Sequence, residues 1–432
     1  MDILRGLLGL VFLTGVALLI SNDRKSIRWQ VIGAGIVMQI ILGLAIFKVG
    51  FVNTGFAWIS SKFVTFLDFA RQGAMFLFGG LSSNSPDAGH NLGFIFAFQA
   101  LPTVIFFSSV TAGLYYLGIL QRVVWGFAWV MARTMRLSGS ESLSAAANVF
   151  MGQTEAPLLV RPFIKNMTQS ELFCLMTGGM ATIAGSVLAV YVGMLGGSDP
   201  ASKATFATYL LCASIMNAPA AVVMSKIVFP ESEFDKIDST LRVNKEQIGS
   251  NLVDALATGA ADGIKLALNI GGMLLAFIAI IMAINWGLAG LGDWIGVNTV
   301  IVKSTGGAYS GLSLEYILGQ VFRIFAFFMG VDWNESLQVG SLLGKKMVLN
   351  EFLAYTDLTA FKENGYLSEK SILISTYALC GFANFSSIAI QIGGIGGMAE
   401  NRKRDLSLLG LRAMLAAFLA TMMTATIAGA IF

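Results

Sequence analysis

The stretch Phe150–Phe163, FMGQTEAPLLVRPF, sets an amide, a hydroxyl and a carboxylate side by side at Gln153, Thr154 and Glu155, in a chain that otherwise reads as hydrocarbon. An ionised carboxylate in an apolar surround costs about 2.5–3.5 kcal/mol on insertion scales. Left bare, it takes up a proton instead. Glu155 therefore asks for hydroxyl donors, amide donors or a cation close by, and the fold has to bring them.

The surround is that apolar throughout. Of 432 residues, 56% are hydrophobic and 12% charged, with mean hydropathy +0.74, whereas soluble domains carry about a quarter charged residues. The chain reads as an integral membrane protein. A hydrocarbon slab of about 30 Å asks for about 20 apolar residues per helical crossing, and runs of that length fall at 3–21, 30–50, 93–120, 171–197, 204–228, 263–288, 371–396 and 406–431. The first reads as a retained span, since it has no small-residue cleavage site. Segment 54–80, with Lys62, Asp68 and Arg71 among aromatics, reads as an amphipathic interfacial helix.

The net charge of +3 is scattered between apolar segments, without the basic face that a nucleic-acid binder presents. Cys174, Cys212 and Cys380 lie inside apolar runs without a paired spacing and read as packing thiols. The single histidine, His90, falls in the Gly/Asn/Ser-rich connection 79–93. That removes histidine triads and most zinc sites from consideration.

Two further apolar segments, 139–165 and 314–345, are each interrupted by a polar knot: NVFMGQTEAP (148–157) and MGVDWNESLQVG (329–340). Irregular backbone at membrane depth survives only where protein buries it or a wet cavity meets it. The knots therefore predict two re-entrant helical hairpins, with tips at Gly152–Pro157 and Gly330–Ser336. Each is followed by a Gly-rich break, GGMATIAGS (178–186) and CGFANFSSI (380–388). Laying Gly179 on Gly381 also brings Ala181 onto Ala383 and Thr182 onto Asn384.

Arg24, Lys25 and Arg28, then Arg122, Arg133 and Arg136, then Arg402, Lys403 and Arg404 cluster in three connections. Eight crossings put all three on the cytoplasmic side when both termini lie outside. Lys345, Lys346, Lys362 and Lys370 would then lie outside, against the trend. The two hairpins would enter from opposite faces, an inverted repeat whose broken helices point to a transporter's binding site.

Glu155 and Glu335 are the carboxylates expected at that site, while Glu351, in VLNEFLAY, fits an amphipathic connecting helix. Gln153, Thr154, Asn334, Asn384, Ser386 and Ser387 add two-way donors and acceptors, and Phe382 could offer a ring face. Neither knot contains Arg or Lys, so a phosphate or carboxylate ligand is disfavoured. An uncharged ligand rich in hydroxyls and amides, a sugar or a nucleoside, fits. Asn148, Thr182 and the carbonyls of Met151 and Ile183 offer hard oxygens suited to sodium.

AANVFMGQTEAPLLVRPF, GVDWNESLQVG, NEFLAY and ALCGFANFSSIAI together resemble the concentrative nucleoside transporter family, and its bacterial sodium-coupled branch in particular. The likeness runs from SNDRKSIR through FLFGGL to the last span. It implies an all-α polytopic membrane protein of about eight spans and two opposed re-entrant hairpins, forming homotrimers in the bacterial inner membrane. It divides the chain into scaffold spans 1–120, a first transport half 121–230, a loop and scaffold span 231–290, and a second transport half 291–432.

The resemblance also implies roles. Gln153, Thr154 and Glu155 would hold the nucleobase beside Val187; Glu335, Asn384 and Ser387 would hold the ribose, with Phe382 lining the pocket. Asn148, Met151, Thr182 and Ile183 would hold the coupling Na+, with Thr182 standing where close relatives carry Ser. The implied activity is elevator-type, sodium-coupled import of nucleosides, uridine among them, with proton coupling as the alternative. A membrane enzyme acting on lipid-linked sugars through Glu155 and Glu335 would lack a nucleophile. Two closed hairpins disfavour a passive channel.

Overall fold

The computed structural model describes residues 2–82, 95–197, 199–238, 240–241 and 249–432. His90 lies outside them, as does part of the 230–248 loop. All regular elements among the described residues are helical.

The chain begins with α1 (Asp2–Leu19), α2 (Trp29–Lys48) and α3 (Gly50–Phe78), then the single turn α4 (Phe96–Gln99) running into α5 (Leu101–Tyr116). From α6 (Ile119–Met135) it enters α7 (Gly139–Ala147), the short α8 (Ala156–Leu159) and α9 (Arg161–Ile164), α10 (Gln169–Ala181), α11 (Gly185–Gly196) and α12 (Pro200–Val228). The long α13 (Leu252–Trp294) and α14 (Asn298–Ser304) follow. The earlier order then recurs: α15 (Leu314–Phe328), α16 (Ser336–Val348), α17 (Glu351–Glu363), α18 (Glu369–Leu379), α19 (Phe385–Met398) and α20 (Lys403–Ile431).

Seven stretches among the described residues are long and apolar enough to cross a membrane, counting α4–α5 and α10–α11 each as one. The eighth expected crossing, 371–396, is the pair α18 and α19, of 11 and 14 residues, and the break between them leaves neither half long enough alone. The span expected at 263–288 is the middle of α13, whose 43 residues extend about 65 Å at 1.5 Å per residue. It packs along α5, while α10, α12, α18 and α1 pack on α20 to form the core.

Local chemistry accounts for the breaks. After Ala181 the chain is extended at Thr182 (φ −119°, ψ 170°), and α11 restarts beyond Ala184. In the second half Asn384 restarts the helix as an N-cap, its side chain accepting from the Ser387 amide at 2.9 Å. The two breaks meet. A Cβ on Gly381 would stand 2.6 Å from the Ala181 carbonyl oxygen, and Phe382 N donates to Thr182 O at 3.4 Å. On α12, Ser214 donates to the Val149 carbonyl at 2.8 Å and Asn217 to the Cys380 carbonyl at 2.6 Å, so one helix braces irregular backbone in both halves.

Charges hold the far ends of these helices. Ser138 and Thr168 cap α7 and α10 in capping boxes with Glu141 and Glu171. Glu171 also accepts from Ser140 at 2.9 Å, and buried Lys226 at the end of α12 pairs with Glu141 and donates to Ser170. In the second half Glu335 plays the corresponding part, accepting from Ser368 N at 3.1 Å and Ser368 Oγ at 2.9 Å. It ties the start of α16 to the start of α18.

The four lysines that opposed the charge trend are engaged in the fold. Lys345 pairs with Glu315 and Asp357, Lys346 is buried, Lys362 donates to the Leu195 carbonyl and Lys370 pairs with Asp2. None is a free loop charge of the kind that weighs in topology. The three cysteines are buried and unpaired.

Candidate functional site

A cavity enclosing about 760 Å³ of space open to solvent lies where the two broken helices, the α7–α8 connection and the start of α17 converge on α13. Gly152, Gln153, Thr154 and Glu155 line it from the connection after α7, and Ala184 and Val187 from the start of α11. Phe382, Asn384, Ser386, Ser387 and Ile390 line it from the second break and α19. Asn350, Glu351 and Phe352 enter from the start of α17, and Leu266, Ile270, Met273 and Leu274 form one face of α13. No Lys or Arg is among the lining residues.

Glu351, Tyr191, Asn384, Ser386, Ser387 and Gln153 form one network. Asn384 Nδ2 donates to Glu351 Oε2 at 3.0 Å, and Tyr191 Oη donates to Glu351 Oε1 at 2.9 Å. Asn384 Oδ1 accepts from Ser386 Oγ at 2.7 Å as well as from the Ser387 amide. Gln153 Nε2 donates to Ser387 Oγ at 3.1 Å, which joins the two halves across the cavity. Gln153 Oε1 is buried without a partner. Glu155 Oε2 accepts from the Gly152 amide at 3.3 Å, and Thr154 is exposed. Two carboxylates and several two-way groups with free capacity suit a neutral ligand rich in hydroxyls and amide-like edges.

The structure thus brings together Gln153, Thr154, Glu155, Val187, Phe382, Asn384 and Ser387. It does not bring Glu335. That residue begins α16, bound to Ser368, with Asp332, Trp333 and Asn334 exposed beside it. The 13 residues of α16 separate it from the Leu349–Asn350 turn by about 20 Å. The carboxylate opposite Glu155 is Glu351. The break between α16 and α17 at Leu349–Asn350, not the turn at 330–336, faces the cavity. The available signal was Asn350 directly before an apolar helical run, an N-cap whose side chain accepts from Leu353 N at 3.0 Å.

The expected cation ligands meet beside this cavity. Asn148 caps the end of α7 with a fully buried carboxamide whose Oδ1 and Nδ2 both lack partners. It lies against Gly178, where a Cβ would stand 3.1 Å from Asn148 Nδ2. Thr182 Oγ1 donates to the Gly178 carbonyl at 2.9 Å, leaving its lone pairs free. The carbonyls of Met151 and Ile183 accept no hydrogen bond among the described residues. Orphaned buried oxygens of low net charge fit a bound sodium ion.

Comparison with known proteins identifies the family. Residues 209–429 match the family described as Na+ dependent nucleoside transporter C-terminus, residues 8–81 its N-terminal counterpart, and residues 97–198 a nucleoside recognition family named Gate. An uncharacterized transporter of Haemophilus influenzae is 41% identical over 99% of this chain and 98% of its own. Sodium/nucleoside cotransporter 1 of Mus musculus is 38% identical over 95% of this chain, which spans 61% of that longer protein. The structure of CNTnw in an inward-facing substrate-bound state superposes with a TM-score of 0.89 at 38% identity, covering 100% of this chain and 98% of that one. A double variant of CNTnw in an outward-facing state gives 0.88 at 37% identity, with 100% and 98% covered. The chain belongs to the concentrative nucleoside transporter family, whose coupling ion is sodium.

Proposed function

We propose that this chain is a sodium-coupled nucleoside importer of a bacterial inner membrane that accepts pyrimidine nucleosides such as uridine. The observation that carries the reading is the convergence of Gln153, Thr154 and Glu155 from one half with Glu351, Asn384 and Ser387 from the other on a single cavity. The first set, with Val187, is suited to a base edge. The second is suited to ribose hydroxyls, Glu351 taking the part expected of Glu335, and Phe382 offers a ring face. The second hairpin is then α16 with α17, its tip at Leu349–Asn350.

Asn148, Thr182 and the carbonyls of Met151 and Ile183 would hold sodium, which supplies a positive charge between the first hairpin tip and the break of α10–α11. Asn148 and Thr182 are thereby held together, and Gln153 and Glu155, five and seven residues past Asn148, meet the nucleoside already ordered. A site ordered in advance binds more tightly, and the coupling is reciprocal. All polar lining belongs to the hairpins and broken helices, whereas α13 contributes only apolar groups. That division supports an elevator movement of the polar half against α13. A homotrimer follows from the family resemblance.

The test is uptake of radiolabelled uridine into membrane vesicles carrying the protein. Accumulation should require sodium and fail in choline, with cytidine competing better than guanosine or free uracil. Uptake unchanged in choline and driven by low external pH would replace sodium with protons.

A further inference from the structure

Tyr191 does not line the cavity, yet its hydroxyl reaches a carboxylate that does. The residue is fully buried on α11, one turn beyond Val187 on the same face of the helix, and its Oη donates to Glu351 Oε1 at 2.9 Å. Glu351 is itself buried, and Asn384 Nδ2 donates to its other oxygen, Oε2, at 3.0 Å. Each oxygen thus carries one fixed donor. One comes from α11, beyond the break in the first half, and the other from the N-cap of α19, at the break in the second.

The phenol is held as firmly as the carboxylate. Its ring stacks on Tyr355 with centroids 4.2 Å apart and planes at 29°, and meets Phe352 edge-on at 5.0 Å and 64°. Tyr355 stands one turn after Glu351 on α17, and its own hydroxyl donates to the Thr376 carbonyl of α18 at 2.8 Å. Packing accounts for an aromatic ring at 191, but phenylalanine would pack as well. What the hydroxyl adds is the bond to Glu351.

That bond governs how the carboxylate is presented. The last torsion of a glutamate is broad and roughly two-fold, so hydrogen bonds, not rotamer preference, fix the plane of the carboxyl group. An ionised carboxyl offers about four acceptor sites, two on each oxygen. With Tyr191 on one oxygen and Asn384 on the other, one site remains on each, side by side. Two hydroxyls on adjacent carbons and on the same side of a ring fill such a pair together, whereas a single hydroxyl fills half of it. We propose that Tyr191 is a positioning residue for the sugar: it turns Glu351 so that each oxygen keeps one acceptor for a cis-diol, and thereby sharpens selection of ribonucleosides over deoxynucleosides. The inference rests on the ribose role given to Glu351 above.

The experiment measures binding of tritiated uridine to purified full-length protein at saturating sodium, with 2′-deoxyuridine, 3′-deoxyuridine, cytidine and adenosine as competitors and thermal unfolding as the control for folding. Tyr191→Phe keeps the ring and its stacking and removes the donor. It should weaken uridine by about tenfold, the order of one hydrogen bond to a charged group, and each deoxy analogue by less than about threefold. The advantage of uridine over both analogues then narrows, while the order among uridine, cytidine and adenosine stays as in the wild type. Tyr355→Phe loses the bond to Thr376 and should leave the advantage of uridine unchanged. An unaltered advantage in Tyr191→Phe, whether or not all affinities fall together, would overturn the proposal in favour of a packing role. Where Tyr191→Phe does not fold, Tyr191→Met, a flexible apolar filler without a donor, is read against the same two results. Equal weakening of uridine and its deoxy analogues by Glu351→Gln would overturn the ribose role of Glu351 and this inference with it. Discrimination lost in Glu351→Gln but retained in Tyr191→Phe would overturn this inference alone.

Discussion

Replacing Glu351 with glutamine should nearly abolish uridine binding, whereas the same change at Glu335 should leave it within about threefold of wild type. The carboxylate of Glu351 already accepts from Tyr191 at 2.9 Å and Asn384 at 3.0 Å, one donor on each oxygen. It keeps capacity for ribose hydroxyls, since an ionised carboxyl offers about four acceptor sites. A hydrogen bond to a charged group is worth about 1.5–3 kcal/mol and a neutral one about 0.5–1.5, so two ribose hydroxyls lose about 2–3 kcal/mol together. Glutamine also turns one acceptor into a donor facing Tyr191 or Asn384, and a buried donor left unpaired adds about 1–3 kcal/mol. The sum exceeds about 3 kcal/mol, or more than about 100-fold in Kd. Glu335→Gln loses charge in its bonds to Ser368, at a half-exposed position on the far side of α16, and should lower stability by about 1 kcal/mol or less. The assay is equilibrium binding of tritiated uridine to purified protein in saturating sodium, with 2′-deoxyuridine and 3′-deoxyuridine as probes. Both deoxy analogues should suffer less from Glu351→Gln than uridine does. Loss of binding in Glu335→Gln with retention in Glu351→Gln would refute the assignment.

Three other changes test separate parts of the molecule. Asn148→Ala should raise the sodium concentration for half-maximal uptake by about tenfold or more, since one oxygen ligand is worth at least about 1.4 kcal/mol, and should leave the thermal unfolding midpoint near wild type because the amide has no protein partner to lose. Gly381→Ala sets a methyl 2.6 Å from the Ala181 carbonyl, so the crossing has to open at a cost of about 1–3 kcal/mol, read as a lowered midpoint in detergent. Gln153→Ala should reorder uridine, cytidine and adenosine as competitors of uptake without removing transport, because the ribose contacts remain; an unchanged ranking would take Gln153 out of base selection.

The crossings were legible because runs of about 20 apolar residues have few other uses. The first knot was legible too, since an Asn, a Gln and a Glu stand within eight residues of otherwise apolar chain. The second half misled for a physical reason. Its conspicuous polar knot, 330–336, is a surface turn where Asp332, Trp333 and Asn334 meet solvent, and composition alone does not tell a wet surface from a wet cavity. The true cavity turn is two residues, Leu349 and Asn350, followed by a helix whose polar face resembles any connecting helix. Leu266, Ile270, Met273 and Leu274 were invisible as lining, because an apolar face turned to a ligand and one turned to lipid share the same spelling. The length of α13 was hidden as well. Its first turns carry Asp254 and Asp262, exposed charges that place them outside an apolar run without ending the helix.

The face of α13 at Leu266, Ile270, Met273 and Leu274 follows helical spacing and continues to Phe277 and Ile281. Between Leu266 and Ile281 these side chains offer a bound nucleoside no hydrogen bond. Under the proposed elevator movement a wall of that kind would define no preferred stopping point: each level along it is chemically much like the next, and a ligand would leave one without breaking a directional contact. In the elevator movement proposed above, friction against α13 would be set by side-chain shape. A single hydroxyl introduced there, as in Ile270→Thr, would install a notch in an otherwise even track, slowing passage while leaving the polar grip on the nucleoside intact.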